Sequence, residues 1–122
     1  MFSYDSVFLP PAPALQIEIR DPQAGSMQIV LAKLDTAADG SVIPIELVAS
    51  LGLIDFDKVV TISFDGSEEE QLTYLVDIFV AGKAFTDIEV ITSPLSYALI
   101  GRDILNQLII TLDGPQLSFT MS

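Results

Sequence analysis

The chain contains neither histidine nor cysteine. Imidazole-based catalytic triads, thiol nucleophiles, disulfide frameworks and the usual zinc sites are therefore excluded together. Seventeen Asp and Glu, the hydroxyls, five Lys and Arg and the backbone remain, so any reaction here must be run largely by carboxylates. The segment that presents a carboxylate most deliberately is Leu34-Asp35-Thr36-Ala37-Ala38-Asp39-Gly40-Ser41-Val42-Ile43-Pro44. An apolar stretch delivers Asp35 into a run of small residues and then resumes. Small side chains leave room for another backbone, or a second copy of the loop, to approach. A lone Asp in such a place also serves ordinary turns.

Asp35, Asp39, Gly40 and Glu46 fall at positions 1, 5, 6 and 12 of a calcium-loop spacing. Position 3 is Ala37, which offers no ligand, Pro44 stands at position 10, and the preceding segment reads as a strand. The acids of Asp65-Gly66-Ser67-Glu68-Glu69-Glu70 lie at a hairpin tip, where consecutive residues point to alternate faces. No metal site and no cofactor are expected.

The elements that must carry these residues are mostly strands. Leu15, Ile17 and Ile19 alternate with Gln16, Glu18 and Arg20, and Asp21-Pro22-Gln23-Ala24-Gly25 makes a turn. Met27 to Leu34 is apolar on both faces and is expected to be central. Val60, Ile62 and Phe64 alternate with Thr61 and Ser63. After Asp65-Gly66, Leu72, Tyr74, Val76, Ile78 and Val80 line one face of a long strand. Ala84 to Thr92 returns, and two short strands, Leu108 to Leu112 and Gln116 to Met121, close the chain. Helix is expected only at Pro44 to Leu51, which opens on Pro and stops before Gly52, and at Arg102 to Gln107. Residues 1–13, with three prolines, read as an extended arm preceding a single domain over 14–122. Many short strands with frequent turns predict an all-β barrel or sandwich. Twice a strand runs into a tight turn and a short helix, at Leu31–Asp35 to Pro44 and at Ala98–Gly101 to Arg102, a weak internal echo.

The Leu34–Pro44 segment resembles the active-site loop of retropepsin-like aspartic proteases, whose pattern is Asp-Thr/Ser-Gly-Ala. Ala98-Leu99-Ile100-Gly101-Arg102-Asp103-Ile104-Leu105 resembles that family's second signature, and Leu112-Asp113-Gly114-Pro115 is similar to bacterial members in particular. The likeness spans residues 14–121. It implies a closed acid-protease barrel with one or two short helices, and it accounts for the echo as an internal duplication. Because the chain holds one Asp-Thr-Ala triplet where a two-lobed enzyme has two, the resemblance implies a two-fold homodimer.

In that dimer Asp35 and its symmetry mate would form the catalytic dyad. Two carboxylates about 4 Å apart at an effective dielectric near ~20 repel by about 4 kcal/mol, so they share one proton. The charged member takes a proton from water and the protonated one polarises the scissile carbonyl. By the same resemblance Thr36 clamps the two loops across the dimer, and Ala38 lies against the substrate main chain. Asp39 pairs with Arg102 and touches substrate backbone. Residues 59–80 form a flap hairpin, from which Ile62, Phe64, Asp65 and Gly66, together with Ile100, complete the substrate-binding set. Ala37 replaces the family's Gly, and it would strain the loop if that position required a positive φ.

The implied function is an aspartic endopeptidase that cuts extended peptide or protein segments at acidic pH and is sensitive to pepstatin-like inhibitors. The alternative is a catalytically weak or silent dimeric peptide-binding module of the same fold. A formal charge of −12 disfavours nucleic acid and anionic membranes as partners. Half the residues are hydrophobic, yet no run reaches the ~18 to 20 residues of a membrane helix. The first fifteen residues lack a basic segment and include Asp5, a poor secretory signal, so the expected location is cytoplasmic.

Overall fold

The computed structural model describes residues 1–122. Its strands are β1 (Phe2–Ser3), β2 (Ala14–Arg20), β3 (Met27–Leu34), β4 (Val42–Pro44), β5 (Asp55–Ile62), β6 (Glu68–Val80), β7 (Lys83–Ser93), β8 (Ala98–Ile100), β9 (Ile110–Asp113) and β10 (Ser118–Met121). Two short helices, α1 (Glu46–Leu51) and α2 (Arg102–Leu105), follow β4 and β8. No helix is long and apolar enough to cross a membrane.

β2 and β3 form a hairpin across the expected turn. β3 then runs parallel to β8, with Ala32 opposite Ala98 and Leu34 opposite Ile100. β8 meets β4 at Leu99 and Val42, β4 runs parallel to β7, and β7 is antiparallel to β6. β6 returns to β2 through Glu18–Phe79, Ile19–Ile78 and Arg20–Asp77. Six strands therefore close on themselves, and β5 extends outside the ring, paired only with β6. Closure leaves no free sheet edge around the ring and one apolar interior to fill. Ile17, Ile19, Ile43, Val76, Ile78, Val80, Val90, Ile100 and Ile104 fill it.

The period-two reading of β2 holds, since Leu15, Ile17 and Ile19 all point into the core. β3 is central in its pairing, as expected, but only Ala32 is buried, and Met27 and Ile29 face outward and exposed. A barrel has a single inside, and no second layer covers this strand. On β6, Val76, Ile78 and Val80 are buried, Leu72 is exposed, and Thr73 on the opposite face is buried instead. The strand leaves the barrel near Thr73, so the face that meets solvent changes there. The first helix starts later than its Pro suggests. Pro44 ends β4, opposite Ser93, and helix begins at Glu46, while Gly52 closes it with φ 68°.

A separate three-stranded sheet joins the chain ends in the order β1-β10-β9. Phe119 on β10 is 1% exposed, stacked on Phe2 at 5.2 Å and tilted against Tyr4 at 6.1 Å. The N-terminal arm and closing strand thus pair with each other inside one chain. Phe119→Ala is expected to cost about 3–5 kcal/mol and to release residues 1–13. Urea denaturation would give the first quantity, and faster proteolysis or amide exchange of the arm the second.

Candidate active site

The two signature segments meet where β3 and β8 end side by side. The Asp35 N–H donates to the Ile100 carbonyl at 2.9 Å, continuing the β3–β8 ladder one step into the loop. The loop then turns back on itself. The Asp35 carbonyl accepts from the Ala38 N–H at 3.2 Å, and its Oδ1 accepts from the Ala37 N–H at 3.0 Å. The carboxylate is thereby aimed by its own backbone, while Oδ2 accepts nothing within the chain. Ala37 is absent from the residues with positive φ, which are Ala81, Asp87 and Leu117 besides glycines. Its methyl therefore strains no backbone.

A dense set of contacts holds this loop from below. Arg102 donates through Nη1 to the Thr36 carbonyl at 2.7 Å and through Nη2 to Asp39 Oδ1, while its N–H donates to the Ala38 carbonyl at 2.9 Å. The Asp39–Arg102 pair expected from the signatures is formed. Beneath it, Asp103 accepts from the Ser41 N–H at 3.0 Å and the Ser41 hydroxyl at 2.8 Å, and Ser41 Oγ accepts from the Gly101 N–H at 3.1 Å. Ser41 is 2% exposed, so these polar atoms find their partners in each other, as burial requires. Gly101 is forced by packing. A Cβ there would lie 2.6 Å from both the carbonyl carbon and oxygen of Gly40, and 3.0 Å from the Ala38 carbonyl oxygen.

β5 and β6 form the long hairpin expected over residues 59–80, paired from Asp55–Tyr74 to Ile62–Glu68 with a bulge between Asp55 and Asp57. At its tip the Ser63 carbonyl accepts from the Gly66 N–H, and Gly66 adopts φ 87°. Asp65 accepts from the Ser67 N–H and hydroxyl at 2.9 and 2.7 Å. The backbone Ser67 bond, with the hydroxyl second, holds the Asp65 carboxyl below its ordinary value. Val60, Ile62 and Phe64, expected on a half-buried strand, are all exposed, because the hairpin stands clear of the barrel and both its faces meet solvent.

A cleft of about 670 Å³ lies between the β5–β6 hairpin and the Asp35 loop. Val59–Ile62 line one side, residues 37–42 the other, and Thr73, Glu89 and Ile91 the remainder. Of the substrate-binding set, Asp39 and Ile62 line the cleft, as do Ala37 and Ala38 of the active-site loop, whereas Asp35 and Thr36 are not part of its lining. Phe64, Asp65 and Gly66 stand at the exposed tip, outside the lining. Ile100 corrects the expectation. Its side chain is 1% exposed in the barrel core, and its carbonyl, which holds Asp35, is what serves the site. Ser41, Asp103, Thr73 and Glu89 were not legible as site residues. Asp103 sits inside the second signature and could have been suspected there, whereas Thr73 and Glu89 read as ordinary polar positions of alternating strands.

No protein-family model matches the sequence, and no curated protein matches it. Solved structures do. A retropepsin-like aspartic protease from Rickettsia conorii is 16% identical with TM-score 0.63, covering 98% of this chain and 86% of that one. The protease of EIAV, solved with an inhibitor, is 22% identical with TM-score 0.58 over 79% of this chain and 86% of that one. The protease of simian foamy virus is 20% identical with TM-score 0.57 over 77% and 92%. At such identities the likeness establishes the fold, and the chain has the retropepsin-like fold that its two signatures imply.

Gly101→Ala tests the packing of the loops. The added methyl meets backbone that cannot swing aside, so a loss of about 2–3 kcal/mol is expected in chemical denaturation. Gly114, whose Cβ would meet nothing within 4 Å, is the control, and Gly114→Ala is expected to change stability by less than about 0.5 kcal/mol.

Proposed function

We propose that the protein is an aspartic endopeptidase that acts as a two-fold homodimer on extended peptide segments. The observation that carries this reading is the set of Asp35. Its N–H is held by Ile100, its Oδ1 is aimed by Ala37, and its Oδ2 accepts nothing within the chain, two residues before the stretch 37–42 that lines the cleft. The likeness of the fold to solved aspartic proteases supports it.

One Asp35 cannot be both base and acid, so a second copy supplies the other carboxylate. Exposed Thr36 beside Asp35, its hydroxyl without a partner in the chain, suits a contact across such a dimer. The chain's accessible surface supports association as well. It is 7203 Å², against about 6,400 Å² for a monomer of this mass. With one proton shared by the dyad, the ionised carboxylate takes a proton from water as the water oxygen attacks the scissile carbonyl carbon. The protonated carboxyl donates to the carbonyl oxygen. Return of a proton to the amide nitrogen then breaks the C–N bond and releases a carboxylic acid and an amine. Activity belongs to acidic pH, because ionisation of both carboxylates removes the acid.

The unstrained backbone of Ala37 gives no support to a silent binding module. Asp35→Asn is expected to abolish peptide cleavage while leaving the melting temperature and the dimer nearly unchanged. Cleavage assays beside light scattering check both, and cleavage by purified Asp35→Asn, or a wild type that cleaves as a monomer, would sink the mechanism. Ala37→Gly removes only crowding by a methyl, a gain below about 1.4 kcal/mol, so kcat/KM is expected to rise by less than about tenfold.

A further inference from the structure

Among the residues lining the cleft there are two carboxylates, Asp39 and Glu89, and no cation. Asp39 is already engaged by Arg102. Glu89 is not engaged by any cation of the chain. Arg20 pairs with Glu18 and Lys58 with Glu70, while Lys33 lies over the ring of Phe8. Lys83 sits at the far end of β7, opposite Val80. The single hydrogen bond to the Glu89 carboxylate comes from Thr73 Oγ1, at 2.7 Å to Oε2.

That one bond has a consequence. Thr73 is 1% exposed, so its hydroxyl donates from a fixed position to one oxygen of the exposed Glu89 carboxylate, and Oε1 accepts nothing within the chain. Thr73 and Glu89 share a face of the β6–β7 pair, since Leu75 stands opposite Glu89 and Tyr74 opposite Val90 in the register. Val42, Val59 and Ile91 form apolar wall beside them. An apolar wall ending in a fixed, unpaired carboxylate is complementary to a long side chain with a methylene stem and a cationic head. The acidic hairpin residues Glu68, Glu69 and Glu70 and the net charge of −12 add a field of the same sign around the entrance.

We infer that Glu89, oriented by Thr73, is the specificity-determining residue of the cleft, and that it selects extended peptides carrying Lys or Arg at the position that reaches it. The inference rests on the cleft being a peptide cleft, and it is tested apart from catalysis. Pairs of short fluorescein-labelled peptides would differ only in Lys against norleucine at each position in turn. They would be compared by cleavage in the wild-type protein and by anisotropy binding to Asp35→Asn. A preference of about tenfold for Lys at one position, weakening with salt, is expected. It should fall towards unity in Glu89→Gln, which can still accept from Thr73, and turn in favour of Glu peptides in Glu89→Lys.

Cleavage with a Lys preference unmoved by Glu89→Gln, or with no Lys preference at all, would overturn this inference and leave the endopeptidase reading intact. Glu89-dependent binding of Lys peptides without any cleavage would sustain the inference and remove the endopeptidase reading. Neither binding nor cleavage of any peptide would overturn both.

Discussion

The closest constraint in the molecule is the passage of Gly40 against Gly101. Where a side chain would begin at Gly101 there is already a carbonyl, 2.6 Å away, so the two loops can approach only as bare backbone. That approach lets the Gly101 N–H reach Ser41 Oγ, and lets Asp103 accept twice from Ser41. It also brings the Arg102 guanidinium under the Thr36 carbonyl and Asp39. The exposed Asp39–Arg102 pair contributes little by charge alone. Its value is geometric, because a planar, forked donor ties two points of one loop to the start of α2.

Asp35 is positioned as the consequence of this arrangement. Its backbone extends the β3–β8 ladder by one hydrogen bond, and its carboxylate is turned by the Ala37 N–H. Neither contact uses a side chain of residue 37, so both hydrogen bonds persist with Ala there, and its φ carries no strain. The barrel core supplies the rigidity. Ile100 and Ile104, both buried, anchor the segment from which Gly101, Arg102 and Asp103 project. The β5–β6 hairpin obeys a different rule. It leaves the ring, exposes Val60, Ile62 and Phe64, and is held to the barrel through β6 alone.

Much of this was legible in the order of residues. Alternation marked β2 and β6 because one side of each must meet an apolar interior, and glycines at 25, 52 and 66 marked turns that need positive φ. The paired signatures pointed to Asp35, Asp39 and Arg102 because the local chemistry of a clamped acidic loop is written in consecutive residues. Other features were hidden for physical reasons. A strand apolar on both faces implies two covered sides, but β3 belongs to a closed ring with a single interior, so Met27 and Ile29 lie exposed. Pro44 is compatible with a helix start and with a strand end alike, and pairing with Ser93 on β7 decided between them.

The sequence by itself narrowed the class of chemistry, since a chain without His or Cys is left chiefly with its carboxylates. It also determined the strand-rich architecture and the loop that bears Asp35, because each depends on neighbours within a few residues. Only the tertiary structure decided which side chains face the cleft. Ile100 sits in an apolar signature that could have lined a pocket, and closure of the barrel turned its side chain inward and left its carbonyl to the loop. Thr73 and Glu89, sixteen residues apart, look like solvent-facing positions of two strands. The β6–β7 register sets them side by side, on the lining of the cleft beside the β5–β6 hairpin. Strand alternation tells which residues share a face, but what that face meets depends on elements distant in the chain.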